Sequence, residues 1–109
     1  MHIDVNDSTF EREVLEKSKN IPVLVDFWAT WCAPCQVLGS TLQNVSKKYE
    51  GKLVVAKVNV DKCPILSGKY DIMSIPSVKL FKNGSVTHEF VGAMPEEQLV
   101  KWINNALSL

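Results

Sequence analysis

Two runs of the chain are apolar at nearly every position: "IPVLVDFWA" (21–29) and "KLVVAKVNV" (52–60). Both are rich in β-branched and aromatic residues and too short for a comfortable helix, so they predict strands buried on both faces. Around them the apolar positions take a helical period. "DSTFEREVLEKS" (7–18) puts Phe10, Val14 and Leu15 on one face, with Ser8 and Glu11 spaced as a capping box. From Cys32 a second helix carries Val37, Leu38, Leu42, Val45 and Tyr49 and ends before Gly51; Gly39 and Ser40 within it form a pair that often marks a kink. "CPILSGKY" (63–70) predicts at most a short helix. "SVKLF" and "SVTHEFVG" flank "KNGS", where Asn83 and Gly84 can take the positive backbone angles of a tight hairpin. The C-terminal "MPEEQLVKWINNALSL" predicts a helix that opens at Pro95 and turns Leu99, Ile103, Ala106 and Leu107 inward. Strands joined by helices predict parallel pairing early in the chain, and the hairpin adds an antiparallel part, giving an α/β fold.

Composition narrows the class. A chain of 109 residues with 46% hydrophobic content predicts one compact domain over 1–109 that needs no disulfide support. Twelve basic and twelve acidic side chains cancel. No global field therefore favours nucleic acid or an anionic membrane, and no segment approaches the length of a membrane span. A cytosolic location is the simplest expectation, and three cysteines, an odd number, argue against a secreted disulfide framework.

The chemistry concentrates in "FWATWCAPCQ" (27–36), where Cys32 and Cys35 stand two residues apart. As a staple the pair closes almost no loop, and a disulfide's stabilising effect grows with the loop it closes. As a metal site it lacks a second pair, since Cys63, His2 and His88 are scattered singly. A thiol pair that opens and closes remains. If the strand ends near Thr30, Cys32 opens the second helix, where free backbone N–H groups and the helix dipole stabilise a thiolate. Cys35 lies one turn deeper on the same face, and Pro34 suits a first turn that needs no N–H. This placement makes Cys32 the attacking sulfur and Cys35 the resolving one.

Asp26 is the second anomaly, a carboxylate between Val25 and Phe27 in an apolar strand. One reading pairs it with Lys57, itself set in an apolar strand, or turns it outward at the strand end. The other makes it a buried acid, raised toward working pH by desolvation, that exchanges a proton with Cys35. The sequence supports both. Cys63 reads as a small residue at a helix start without a catalytic part, His2 and His88 as surface residues, Trp102 as packing, and Trp28 as a support beneath the thiol-bearing turn.

These features, spaced over the whole length, resemble the thioredoxin family: "VDFWATWCAPC", the Asp26 and Lys57 pair, "SIPS", "LFKNG" and "VGAMPEEQL". The resemblance implies a central mixed β-sheet flanked by helices on both faces and a protein disulfide reductase regenerated by a thioredoxin reductase, with no cofactor or metal of its own. It implies Cys32, Cys35, Asp26 and Lys57 as the catalytic set. It also implies an apolar substrate groove built from Trp31, Ala33, Pro34, Ile75, Pro76, Gly92 and Ala93, with Pro76 in the cis form, and a protein that works as a monomer on protein disulfide substrates. Four departures stand out. Ala33 replaces the family's frequent glycine, Gln36 a frequent cation, Gly39 and Ser40 stand in for a helix-kinking proline, and Met73 and Ser74 precede the proline loop. An oxidase or isomerase, a non-catalytic binding module and a metal-binding role are the competing functions.

Overall fold

The computed structural model describes residues 2–109. Five strands are present: β1 (His2–Asp4), β2 (Val23–Trp28), β3 (Val54–Asn59), β4 (Ser77–Lys82) and β5 (Ser85–Val91). They form one mixed sheet in the order β1-β3-β2-β4-β5. The two apolar runs are the central strands β2 and β3, paired in parallel with Asp26 beside Lys57, while β4 runs antiparallel to both β2 and β5. The three-residue β1 was not legible in the sequence; it adds parallel to β3 at the sheet edge.

Alternation along β2 separates two cores. Val23, Val25 and Phe27 pack with Phe10, Val14 and Leu66, beneath the first helical segment and the short helix α2 (Pro64–Lys69). Leu24 packs on the opposite face with Leu38, Leu42, Leu99 and Ile103, beneath α1 (Ala33–Ser46) and α3 (Glu96–Leu107). The predicted α/β architecture, a mixed sheet with helices on both faces, is the one observed.

Several local expectations are corrected. The first helical segment is a wide π-helical stretch over Glu11–Glu16 that tightens to a 3₁₀ turn over Lys17–Lys19. Its entry is organised by Asn6 and not by a Ser8 cap: the Asn6 carboxamide oxygen accepts from the backbone N–H groups of Ser8 (2.9 Å) and Thr9 (3.1 Å). An Asx turn of this kind satisfies the Ser8 N–H that a capping box would also engage, and the Thr9 N–H instead of that of Glu11. Val37 lies on the outer face of α1, 61% exposed, and Tyr49 belongs to a separate 3₁₀ turn, Lys47–Tyr49. Helix α1 runs without interruption through Gly39 and Ser40. Pro95 caps α3 instead of occupying its first turn, and Ser108 ends that helix at φ 60°, in the left-handed region.

The hairpin forms as expected, with Asn83 and Gly84 both at positive φ. It is tied to the other side of the sheet by Ser18, whose backbone carbonyl accepts from the Asn83 N–H and whose hydroxyl accepts from the Gly84 N–H, both at 2.8 Å. Ser18 is buried. Replacing it with alanine leaves the Gly84 N–H without its partner, so Ser18→Ala should lower stability by about 1–2 kcal/mol. In urea unfolding this appears as a lower midpoint with an unchanged slope.

Candidate active site

Strand β2 ends at Trp28, and the chain turns through Ala29, Thr30 and Trp31 before α1 begins at Ala33. Cys32 is the N-cap, in extended conformation. Its sulfur accepts the backbone N–H of Cys35 at 3.2 Å, and the first regular helical bond runs from Gln36 N–H to the Cys32 carbonyl. A thiol sulfur therefore does the work that a serine or aspartate oxygen does at most helix starts. Pro34 falls within the first turn, where its missing N–H costs nothing.

Cys32 and Cys35 are joined in a disulfide, with Cα atoms 5.2 Å apart. That separation falls inside the range a disulfide accepts without backbone movement. Both residues are largely covered, Cys32 at 6% exposure and Cys35 at 2%, so Cys32 is the more open by a small margin. The sulfurs sit in an apolar nest of Ala29, Trp28, Val60 and Ile75. The Cys32 sulfur lies 3.9 Å from the Ile75 carbonyl oxygen, a van der Waals contact because the disulfide carries no S–H.

The loop opposite the disulfide holds a cis bond between Ile75 and Pro76. The Pro76 carbonyl accepts from the Gly92 N–H at 2.8 Å, which fastens this loop to the end of β5. Gly92 has φ 94°, a conformation that disfavours any residue with a Cβ. Ala33, Pro34 and Ala93 are exposed around the sulfurs and Trp31 is 70% exposed. The seven positions expected to form a groove thus share one end of the sheet. Two further residues, Asp61 and Val91, were not singled out in the sequence, and Met73 stood out there only as a departure before the proline loop. Asp61 accepts the Trp31 indole N–H at 2.7 Å and fixes an otherwise free ring. Met73, 86% exposed, and Val91, 62% exposed, extend the apolar surface. Asp61 stands thirty residues from Trp31; only the β2–β3 register, which brings the ends of these strands together, reveals the pairing.

Asp26 and Lys57 lie deeper. Asp26 has no exposed surface, and neither of its oxygens receives a hydrogen bond from the described residues. Strand alternation puts it on the same face as Leu24, the one covered by α1. Lys57 makes no direct ion pair with it. The Lys57 ammonium sits 4.7 Å over the Trp28 ring, and a Cβ at Gly39 would come within 3.3 Å of it, so α1 is open at that glycine where the cation passes. Burial pushes the Asp26 carboxyl up from 3.8 to about 6, with the Lys57 charge pulling in the opposite direction. The ion-pair reading of Asp26 is therefore corrected: the two groups meet through the field and not through contact.

Cys63 caps α2 and is 1% exposed; burial first, and then the nearby Asp7 carboxylate, push its thiol up, which suits an unreactive sulfur. His2 is half-buried with Nε2 unpartnered among the described residues, where a surface residue was expected, and its pKa is lowered, chiefly by burial and then by Lys57. Trp102 packs edge-on to Phe90 at 4.8 Å, as its position suggested.

The family model for thioredoxin matches residues 1–105. The chain belongs to the thioredoxin family. It is 47% identical over 105 residues to the thioredoxin of Rickettsia bellii, covering 96% of this chain and 98% of that one. It is 42% identical over 103 residues to the thioredoxin of Chlorobaculum thiosulfatiphilum, covering 94% of each. It is also 43% identical to the chloroplastic M-type thioredoxin of Spinacia oleracea, over 96% of this chain and 57% of that protein. Thioredoxins are thiol–disulfide oxidoreductases, and this chain holds the redox-active pair as a closed disulfide at a helix start. Family membership also implies a reductase and disulfide-bearing substrates as partner classes. Among the described residues no helix is long and apolar enough to cross a membrane.

The Asp26 geometry has a stability consequence. Below pH 3.8 the carboxyl is protonated whether the chain is folded or not. Between 3.8 and about 6 the fold keeps a proton that the unfolded chain has released, and above about 6 the fold must hold a buried carboxylate. Each pH unit is worth about 1.4 kcal/mol, so stability falls by about 3 kcal/mol as pH rises through that window. Asp26→Asn removes the titration. Its stability relative to the parent should rise by about that amount from the acid to the alkaline side of the window, read from urea midpoints; a constant difference would contradict the raised carboxyl.

Proposed function

We propose that the chain acts as one domain over residues 1–109, as a monomer in the cytosol, reducing protein disulfides and being re-reduced by a thioredoxin reductase. The observation that carries the assignment of roles is the N–H of Cys35 pointing at the Cys32 sulfur at the start of α1. A negative charge on Cys32 is held there by that N–H and by the helix dipole, and the sulfur has the more open position of the two.

In the reduced protein the Cys32 thiolate attacks one sulfur of a substrate disulfide. A mixed disulfide forms, and the other substrate sulfur leaves as a thiolate that takes up a proton. The Cys35 thiol then gives up its proton, attacks Cys32 and expels the second substrate sulfur, which is protonated in turn. Two electrons pass from the dithiol to the substrate, and the closed Cys32–Cys35 bond is the product. Asp26 is the acceptor for the Cys35 proton, and its raised value keeps it able to exchange near neutrality. Lys57 limits how far that value rises.

Substrate is held by the surface around the sulfurs. Trp31, Ala33, Pro34, Ile75, Pro76, Gly92 and Ala93 form a shallow apolar groove, and the backbone beside Pro76 pairs with an extended segment of the substrate chain. Asp61 keeps the Trp31 ring in one orientation for that contact.

The purified protein should reduce insulin disulfides with dithiothreitol as electron source, and Cys32→Ser should abolish the reaction. Activity that survives the substitution would remove Cys32 from its role. Cys35→Ser should stall at the mixed disulfide and retain substrates covalently. Asp26→Ala should slow resolution of a preformed mixed disulfide by roughly tenfold or more while leaving the first attack nearly unchanged. Equal slowing of both steps in rapid-mixing experiments would sink the proton-acceptor role.

A further inference from the structure

A concavity among the described residues lies apart from the groove over the sulfurs. It is a cleft of about 360 Å³ on the far side of Trp28, walled by Asp4, Asn6, Trp28, Lys57, Asn59 and Lys62. Its volume lies at the lower end of the range for small-molecule sites.

The chemistry of the wall is one-sided. Lys57 and Lys62 bring two positive charges, and neither ammonium has a carboxylate within ion-pair distance among the described residues; Asp4, exposed, brings one negative charge. Both asparagines have their carbonyl oxygens engaged by local backbone: Asn6 by Ser8 and Thr9, and Asn59 by the Asp61 N–H at 3.0 Å. What they have left to offer is their N–H groups. The Trp28 indole nitrogen is covered and has no acceptor among the described residues. The cleft thus presents donors and positive charge in excess of its one carboxylate, Asp4.

We propose that this cleft is a binding site for a phosphate group, either free phosphate or the phosphate of a small phosphorylated molecule, held between Lys57 and Lys62 with the two asparagines as further donors and Trp28 as part of the wall. Phosphate presents the dense, acceptor-only oxygens that such a wall can satisfy together, whereas an apolar ligand would leave the donors unpaired. The site lies apart from the disulfide but shares Lys57 with it, so an occupant would touch the same cation whose field acts on Asp26.

The test uses the oxidised protein titrated with inorganic phosphate, against sodium chloride at equal ionic strength, following the indole N–H resonances of the three tryptophans. The Trp28 signal should move saturably with phosphate while that of Trp102, on α3, stays in place. Lys62→Glu, at an exposed position outside the redox machinery, should weaken binding at least about tenfold, with Lys62→Gln in between. A parallel titration with glycerol phosphate separates the two sources. Tighter binding of the ester marks a phosphorylated small molecule as occupant, and equal or weaker binding marks free phosphate. The proposal fails if phosphate moves the Trp28 resonance no more than chloride does, or if binding is the same in Lys62→Glu.

Discussion

Strand β2 is covered on both faces, by the first helical segment and α2 on one side and by α1 and α3 on the other, so its chain can leave the sheet only at the strand's end. Helix α1 must then start within a few residues and fold back over the face it has just left, and this constraint puts Cys32 at the helix tip. Strand β3, parallel to β2 and in register with it, ends at the same edge and delivers Asp61 to Trp31. Strand β4 runs the other way, so the cis Ile75–Pro76 bond that precedes it arrives at that edge too. The end of β5 follows, because Gly92 is bonded to Pro76. The end of the sheet that holds the disulfide therefore gathers three segments remote from it in sequence, all brought there by the direction of strands in one sheet.

The same sheet carries an internal cost at its centre. A carboxylate with no hydrogen-bond partner, completely covered, is a feature that folding alone would remove, since an apolar residue at position 26 would pack among Leu24, Leu38 and Val78 without desolvating a charge. Lys57 does not cancel that cost by contact. It stands over Trp28, held off by its own geometry, and moderates the charge from a distance. The pair is thus poorly built as an ion pair, and this looseness supports the proton-acceptor role proposed for Asp26, because a tight salt bridge would fix it in the ionised state.

How much of this was readable in the sequence follows from the range of each interaction. The central strands, the hairpin at Asn83–Gly84 and the helix tip at Cys32 are written in local pattern, and each formed where local pattern put it. Features set by distant partners were not legible. Val37 has the right spacing for the α1 core face, yet it sits at the exposed edge of the helix, since periodicity gives a face but not its width. Strand β1 is three residues long, too short for any period, and exists because the edge of β3 was available to it. The Asn6 turn stands in place of the capping box at Ser8 because an asparagine two residues earlier offers an acceptor to the Ser8 and Thr9 N–H groups at the helix entry. Asp26 left two readings open, and only three-dimensional burial, with Lys57 turned to the Trp28 ring, removed the outward-facing and ion-pair versions of the first.

The departures from the familiar motif bear on what tunes the sulfurs. The first turn of α1, Ala33-Pro34-Cys35-Gln36, contains no charged side chain, and Gln36 spends its amide on the Thr30 carbonyl at 3.5 Å. Stabilisation of a thiolate at Cys32 therefore falls to the backbone: the Cys35 N–H and the aligned dipoles behind it. Such donors are built into the helix and need not reorganise when the disulfide opens, the property that makes preorganised dipoles effective at a reacting atom. They also lie at short range beneath a covered sulfur, so added salt screens them less than it would a lysine in solvent at position 36. Ala33 adds to the same effect, since it holds the first turn in helical form more firmly than glycine would, and a firmer turn keeps the Cys35 N–H aimed at the sulfur.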